Sequence, residues 1–453
     1  MNIVYINTHD TGRMISPYGE NIPTPSLYDL ATDGTLFTQA FACGPTCSPS
    51  RSSLLTGTYP HQNGMLGLAQ RGFELVNPKM HLANHLKVNG FQTAISGIQH
   101  EVGWYLDLDV DKVKELGYEN VLTTDSSLYK KEDLHLWDRE NVKTAIEWIQ
   151  SMDTDKPFFL SYGMHSTHRP YPIEVAENIN EDYVSSKFGS NEILRHDQAQ
   201  FMTTAQYADQ NIKLLIEAIK EKGLYDETII IFTTDHGVAL PYHKCNLSDT
   251  GIGVSLIIRH PDYSRGIILD QLVSQIDIFP TLCELVNIEK PSYLEGKSFA
   301  TLFEDNKRQI NNEIFAELNF HTSYEPVRCV RTSRYKYVKY FDGYNHLNLS
   351  NVDDSKVKEY LLNHNLSDKT KQMEALYDCV YDQFEKDNLI NEPSLQHIVD
   401  ELRGKLNLHL KTTSDPILQG ELKILKKYKV NKRNCIQASS NNPDDYEVSD
   451  IVE

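Results

Sequence analysis

Apolar and polar positions follow two rhythms along the N-terminal part of the chain. Short, almost unbroken apolar runs stand at residues 2–7 (NIVYIN), 35–42 (TLFTQAFA), 91–96 (FQTAIS), 157–163 (PFFLSYG) and 228–233 (TIIIFT). Runs of this kind read as strands buried on both faces. Between them, residues 24–34, 80–89, 140–151 and 204–222 carry the spacing of amphipathic helices. Gly90 and Gly223 follow two of these helices, where a helix end favours glycine. Strands alternating with helices predict an α/β fold with a doubly wound, mostly parallel sheet.

The polar residues that follow these runs then fall into one place. His9 and Asp10 follow the first strand, His100 the third, His165 and His168 the fourth, and Asp235 and His236 the fifth. Ligands of open α/β sheets bind beyond the carboxyl ends of the strands. Residues far apart in sequence are therefore predicted to share one crevice. Beyond about residue 305 the texture changes: EIFAEL, PVRCVRT and RYKYVKYF alternate like antiparallel strands, with a turn at Thr332-Ser333. LYDCVYD and a helix near 394–411 follow. A chain of 453 residues exceeds the size at which single cores stop growing. The expected division is a large domain over 1–305 and a smaller α+β subdomain over 306–453, with an antiparallel sheet, a helix and a charged tail.

The most informative segment is Cys47-Ser48-Pro49-Ser50-Arg51, continuing as SSLLTGTYPHQNG. Pro49 suits a first helical turn, where its missing N–H goes unmissed. A helix N-terminus offers N–H groups and partial positive charge to an anion, and Arg51 adds a fixed planar donor. This motif resembles the signature of the type I sulfatases. DKPFFLSYGMHSTHRPY, TIIIFTTDHG and LVSQIDIFPTLCEL resemble further segments of that family, in the family's order. HQNGMLGLAQ and the spacing of the later motifs are similar to the N-sulfoglucosamine sulfohydrolase (heparan N-sulfatase) branch.

The resemblance implies an alkaline-phosphatase-like fold and a hydrolase of sulfate esters or sulfamates. It also implies that Cys47 is converted by a maturing enzyme to formylglycine, whose hydrate is the nucleophile. Asp10, Asp235 and His236 then match metal ligands, joined by residue 47, with His9 as ligand or substrate contact. One divalent ion is implied, Ca2+ first and Mn2+ as the alternative. His9 and His236 stand where many sulfatases carry an acid and an asparagine, and imidazole shifts preference toward transition ions. Arg51 orients the formylglycine, Lys244 meets the sulfate, and His100 is the base for the elimination step. His168 is the acid for the leaving group, with His165 and Arg169 close by on the substrate side. His243 is a near alternative to Lys244, and His321, with Glu317, is placed to read the sugar. The family often carries a lysine where Ile98 stands. Taken singly, each residue has a plain alternative: a buried thiol, a helix cap, a surface lysine or a structural histidine.

Composition adds limits. The net charge is −19, from 44 basic and 63 acidic residues, which argues against nucleic-acid and anionic-membrane partners. A sulfated saccharide would need a locally positive pocket. Seven cysteines (43, 47, 245, 283, 329, 379 and 435) form no C-x-x-C pair, so reduced, buried thiols are expected. The start MNIVYINTHD has no basic region, apolar stretch or cleavage site, and no run is long enough to span a membrane. These features lead us to expect a cytoplasmic enzyme of undetermined oligomeric state. Three other readings stay open: a carbohydrate O-sulfatase, a phosphonate or phosphodiester monoesterase of the same superfamily, and an inactive glycan-binding protein.

Overall fold

The computed structural model describes residues 1–104, 106–152, 155–183, 191–263 and 265–452. Fourteen strands occur among them. The first ten are β1 (Asn2–Thr8), β2 (Thr35–Phe37), β3 (Ala40–Phe41), β4 (Gln92–Gly97), β5 (Asn120–Val121), β6 (Phe158–Gly163), β7 (Thr228–Thr234), β8 (Leu256–Arg259), β9 (Ile267–Leu269) and β10 (Val273–Ser274). Four longer ones follow: β11 (Glu313–Phe320), β12 (Tyr324–Thr332), β13 (Tyr335–Tyr340) and β14 (Glu374–Asp378).

Eight strands build the main sheet, in the order β5-β4-β6-β1-β7-β8-β2-β9. All neighbours run parallel except at β8, which is antiparallel to both β7 and β2. β1 lies in the middle, with Tyr5 opposite Ser161 on one side and Ile231 on the other. Its side chains alternate between two cores. Ile3 and Tyr5 point into one, and Val4 and Ile6 into the other. Both faces are covered, so every position of β1 is buried and its apolar run is unbroken. A fully buried Val or Ile stabilises by about 1.5–3 kcal/mol.

The core that takes Val4 and Ile6 packs against Leu27 and Leu30 of the helix Pro25–Thr32. It also packs against Val142 and Ile149 of the helix Leu134–Ser151, and Ile212 and Leu215 of the helix Glu192–Glu221. The predicted helices at 140–151 and 204–222 are thus the C-terminal parts of longer ones. The run 35–42 is not one strand. Its first part joins the main sheet as β2, and Ala40–Phe41 pairs instead with Val273–Ser274. Thr38 ends β2 by donating to Leu269 O.

β11 to β14 form a separate antiparallel sheet in sequence order. Val330, Tyr337 and Leu376 from that sheet share one core with Ile3 and Ile231. The helix Gln396–Thr412 adds Val399, Leu402, Leu406 and Leu410 to it. The two sheets are therefore joined by common apolar packing. Among the described residues, no helix is long and apolar enough to cross a membrane, and all seven cysteines are free thiols.

Candidate active site

β1 and β7 end side by side, with Thr8 opposite Thr234. The residues just beyond them face each other. Asp10 adopts a left-handed backbone, φ 57°, a region that aspartate tolerates better than most residues. Its N–H donates to Asp235 Oδ1 at 2.9 Å. Asp10 Oδ1 lies 2.8 Å from His9 Nδ1 and 3.3 Å from His236 Nε2. Asp235 Oδ2 lies 3.1 Å from His9 Nδ1 and accepts from Arg51 Nε at 3.2 Å.

Cys47 joins this group from the start of a helix. It is the first residue of the helix Cys47–Thr56, all ten residues of which are buried. The serines that make this helix unusual are used as pins. Ser50 Oγ donates to Asp235 O, and Ser48 Oγ accepts from Ala69 N. The Cys47 sulfur comes to 3.4 Å from His236 Nε2 and 4.0 Å from His9 Nδ1. Ligand atoms of His9, Asp10, Cys47, Asp235 and His236 all lie within 4.8 Å of one another.

Electrostatics distinguish the members. Burial raises Asp10, but Lys244, His168 and His236 outweigh it, and the carboxyl is held far below its usual range. Burial likewise raises Asp235, and His236, His9 and Arg51 pull it far down. Both are carboxylates at neutral pH. Burial lowers His9, so its imidazole is neutral and has a lone pair to give. Burial pushes the Cys47 thiol well above its usual range. Since the thiolate is the reactive form, an unmodified Cys47 is a poor nucleophile. Two ionised carboxylates, neutral imidazole and a group at residue 47 suit a divalent cation. The mixed oxygen and nitrogen donors lie between an all-oxygen calcium shell and a transition-metal shell.

A second layer surrounds the carboxylates. Lys244 Nζ donates to Asp10 Oδ2 at 2.8 Å and to Asp353 Oδ2 at 3.0 Å, and lies 3.4 Å from His168 Nε2. Burial lowers Lys244, but Asp10 and Asp353 more than offset it and keep the ammonium charged. The His168 ring centre is 4.5 Å from that of His9 and 5.2 Å from that of His165, and His100 is 5.4 Å from His9. Burial holds His100, His165 and His168 below the ordinary imidazole range. Asp138 fixes the His165 turn by accepting from the N–H groups of His165 and Ser166. His321 Nδ1 lies 2.6 Å from Thr46 Oγ1, at the cap of the Cys47 helix. Ile98 packs with Leu134 and Trp137, so no cation enters from that position.

Three named residues turn elsewhere. Arg169 donates both guanidinium arms to Asp197, at 2.5 and 2.7 Å, and its Nε to Ala239 O. His243 donates to Pro241 O and lines another cavity, of about 330 Å³, with Arg13 and Arg331. Glu317 binds His61, through its backbone N–H and Nδ1, rather than facing the cluster. Asp353 was not anticipated. It precedes a helix capped by Ser355, and in sequence it reads as ordinary capping polarity.

Residues 1–288 match the family model for Sulfatase. The chain belongs to the sulfatase family. Residues 236–374 of this sulfatase match the model for N-sulphoglucosamine sulphohydrolase, C-terminal. An ulvan-active sulfatase of Formosa agariphila is 24% identical over 94% of this chain and 77% of its own length. The human N-sulphoglucosamine sulphohydrolase is 28% identical over 64% of this chain and 62% of its own. A protein solved in complex with its substrate D-glucosamine-2-N,6-O-disulfate superposes with a TM-score of 0.68 at 18% identity, covering 91% of this chain and 98% of that one. The mostly parallel sheet with its separate antiparallel sheet is thus the alkaline-phosphatase-like sulfatase fold. The enzyme is a sulfate ester hydrolase by family.

Proposed function

We propose that this sulfatase removes a sulfuryl group from a sulfated sugar, with N-sulfoglucosamine of heparin or heparan fragments as the favoured substrate. The observation that carries the reading is residue 47 at a helix N-terminus, inside the cluster of His9, Asp10, Asp235 and His236. The match to the N-sulphoglucosamine sulphohydrolase C-terminal region supports the choice of sugar. Residues 1–305 are the catalytic domain, and 306–453 lend it His321 and Asp353.

Residue 47 is the nucleophile after conversion to formylglycine by a maturing enzyme; its hydrated aldehyde offers one hydroxyl to sulfur and keeps a second to expel sulfate. Asp10, Asp235, His236 and residue 47 would hold one divalent cation, Ca2+ in first place and Mn2+ in second, with His9 beside them. When bound, such an ion would supply Lewis-acid stabilisation of negative charge at this site.

The remaining work falls to the chain's own groups. Arg51 holds Asp235 in place through Nε. Lys244 presents a charged ammonium beside the cluster, where it neutralises a sulfuryl oxygen. His100 is neutral and takes a proton in the elimination step. His168 is neutral when the site is empty. An entering sulfuryl anion favours its protonated form, which prepares it to protonate the leaving group.

The geometry also favours sulfuryl over phosphoryl substrates. Ile98 supplies no cation, and Asp353 adds a carboxylate next to Lys244. Both changes disfavour a more highly charged phosphoryl transition state. The deciding experiment is a sulfate-release screen over defined heparin disaccharides, using protein co-expressed with a formylglycine-generating enzyme. Release of the N-sulfate is expected. Loss of 2-O- or 6-O-sulfate while the N-sulfate persists overturns the substrate choice.

A further inference from the structure

Asp353 comes from the C-terminal part of the chain, yet its carboxylate stands beside Lys244, Asp10 and His168. Its Oδ2 accepts from Lys244, and one of its oxygens lies within 4.8 Å of ligand atoms of Asp10 and His168. Its Oδ1 lies 4.0 Å from His321 Nε2, beyond hydrogen-bond reach, and among the described residues no hydrogen bond satisfies it. The side chain is 14% exposed, against 0% for Asp10. One carboxylate oxygen therefore remains available to a donor entering the cleft.

The loop that presents Asp353 is held firmly. Asn351 Oδ1 accepts from the N–H groups of Thr322 and Ser323, and its amide donates to Glu325. Asp354 accepts from Lys358 and from the N–H of Ala438. Buried carboxylates persist where a cation meets them. Lys244 already has a second carboxylate in Asp10, so neutralising Lys244 does not by itself call for Asp353.

Sulfamate and ester hydrolysis differ in the charge of the leaving group. In R–NH–SO3⁻ + H2O → R–NH3⁺ + SO4²⁻ the S–N bond breaks, nitrogen keeps the electron pair and ends as an ammonium. In R–O–SO3⁻ + H2O → R–OH + SO4²⁻ + H⁺ the leaving oxygen ends neutral. Only the first reaction creates a cation on the sugar. We propose that Asp353 is the seat for the amine nitrogen of an aminosugar, so that it selects sulfamates over sulfate esters. The proposal rests on the N-sulfoglucosamine reading above.

The test measures binding as well as turnover. Glucosamine, held below its pKa, is titrated by calorimetry against wild type, with N-acetylglucosamine as the uncharged control. A charge-assisted hydrogen bond predicts a preference of about tenfold or more for glucosamine. Asp353→Asn is expected to erase that preference. In matured protein, Asp353→Asn is expected to lower kcat on N-sulfoglucosamine about tenfold more than on an aryl sulfate. Should Asp353→Asn misfold, Asp353→Ser provides the same comparison. Equal binding of the two sugars by wild type, or a preference that survives both substitutions, overturns the proposal. If the matured enzyme leaves N-sulfoglucosamine intact while Asp353→Asn still abolishes the ammonium preference, the substrate reading fails and the amine seat stands.

Discussion

Position 47 and its neighbour Lys244 divide the residue-scale chemistry between them. The Cys47 side chain lies 3.4 Å from His236 and is raised well above its usual range by burial, so an unconverted thiol has little nucleophilic character there. Cys47→Ala is therefore expected to abolish sulfate release without loss of fold, checked by sulfate assay and circular dichroism. Peptide mass spectrometry of the active protein should show an aldehyde at position 47 and no thiol. Lys244 is bonded to both Asp10 and Asp353. Lys244→Ala removes the one ammonium beside the cluster among the described residues. A fall in kcat/KM of about a hundredfold or more is expected, the scale of one preorganised charge-stabilising donor. An unchanged kcat/KM would mean that the sulfuryl group sits elsewhere.

At the scale of elements, β11 ties the second sheet to the segment that follows the Cys47 helix. Glu317 accepts from the His61 N–H at 2.9 Å and from Asn319 at 2.9 Å, and Arg328 grips Asp415 close by. Burial raises Glu317, but His61 and Arg328 overcome it and hold the carboxyl at about 2. Its stabilisation is complete above the unfolded value of about 4.3 and is lost as pH falls toward 2. For His61, burial lowers the imidazole while Glu317 raises it further, for a net rise. That contribution is complete below about 6.5 and is lost as pH climbs through the folded value. The pair is thus strongest between roughly pH 4.3 and 6.5. Glu317→Gln is expected to cost about 3 kcal/mol at pH 5 and to flatten the acid limb of stability. Urea midpoints at pH 5 and pH 3 measure both effects; parallel acid limbs in the two proteins would remove Glu317 as the source.

For the whole molecule, one apolar core joins the main sheet, the antiparallel sheet and the helix Gln396–Thr412. Unfolding is expected as a single cooperative step, with no early loss of the C-terminal part. Leu406→Ala, 1% exposed, should lower the stability of the whole by about 2–5 kcal/mol. Two separate calorimetric transitions would contradict the shared core. A divalent ion between the ends of β1 and β7 should act on the same global equilibrium. Asp10 and Asp235 are brought together by folding, so a cation bound at about a hundred times its Kd adds about 2.7 kcal/mol. Chelation is expected to lower Tm and stop sulfate release, with Ca2+ and Mn2+ compared for recovery. Asp10→Asn should remove the thermal response to either ion.

Periodicity was enough to place β1, β4, β6 and β7, because strands buried on both faces leave unbroken apolar runs that are visible locally. The rule that ligands gather beyond strand ends then brought Asp10, His100, His168, Asp235 and His236 to one crevice. Helix starts were legible less well. Residues 192–203 belong to the long helix Glu192–Glu221 yet lie outside the stretch whose spacing predicted it. The run 35–42 split because its pairing partners, β8, β9 and β10, come more than 200 positions later. Which of two adjacent loop residues turns inward was decided only by tertiary structure. His168 faces His9 while Arg169 is drawn away by Asp197, and Lys244 reaches Asp10 while His243 lines another cavity. Asp353 entered the site only because Asn351 docks on Thr322 and Ser323. The sequence by itself determined the layering and the strand-end chemistry, since these follow from local patterns. Tertiary structure decided which charges meet, since a side chain's destination depends on partners that are remote in sequence.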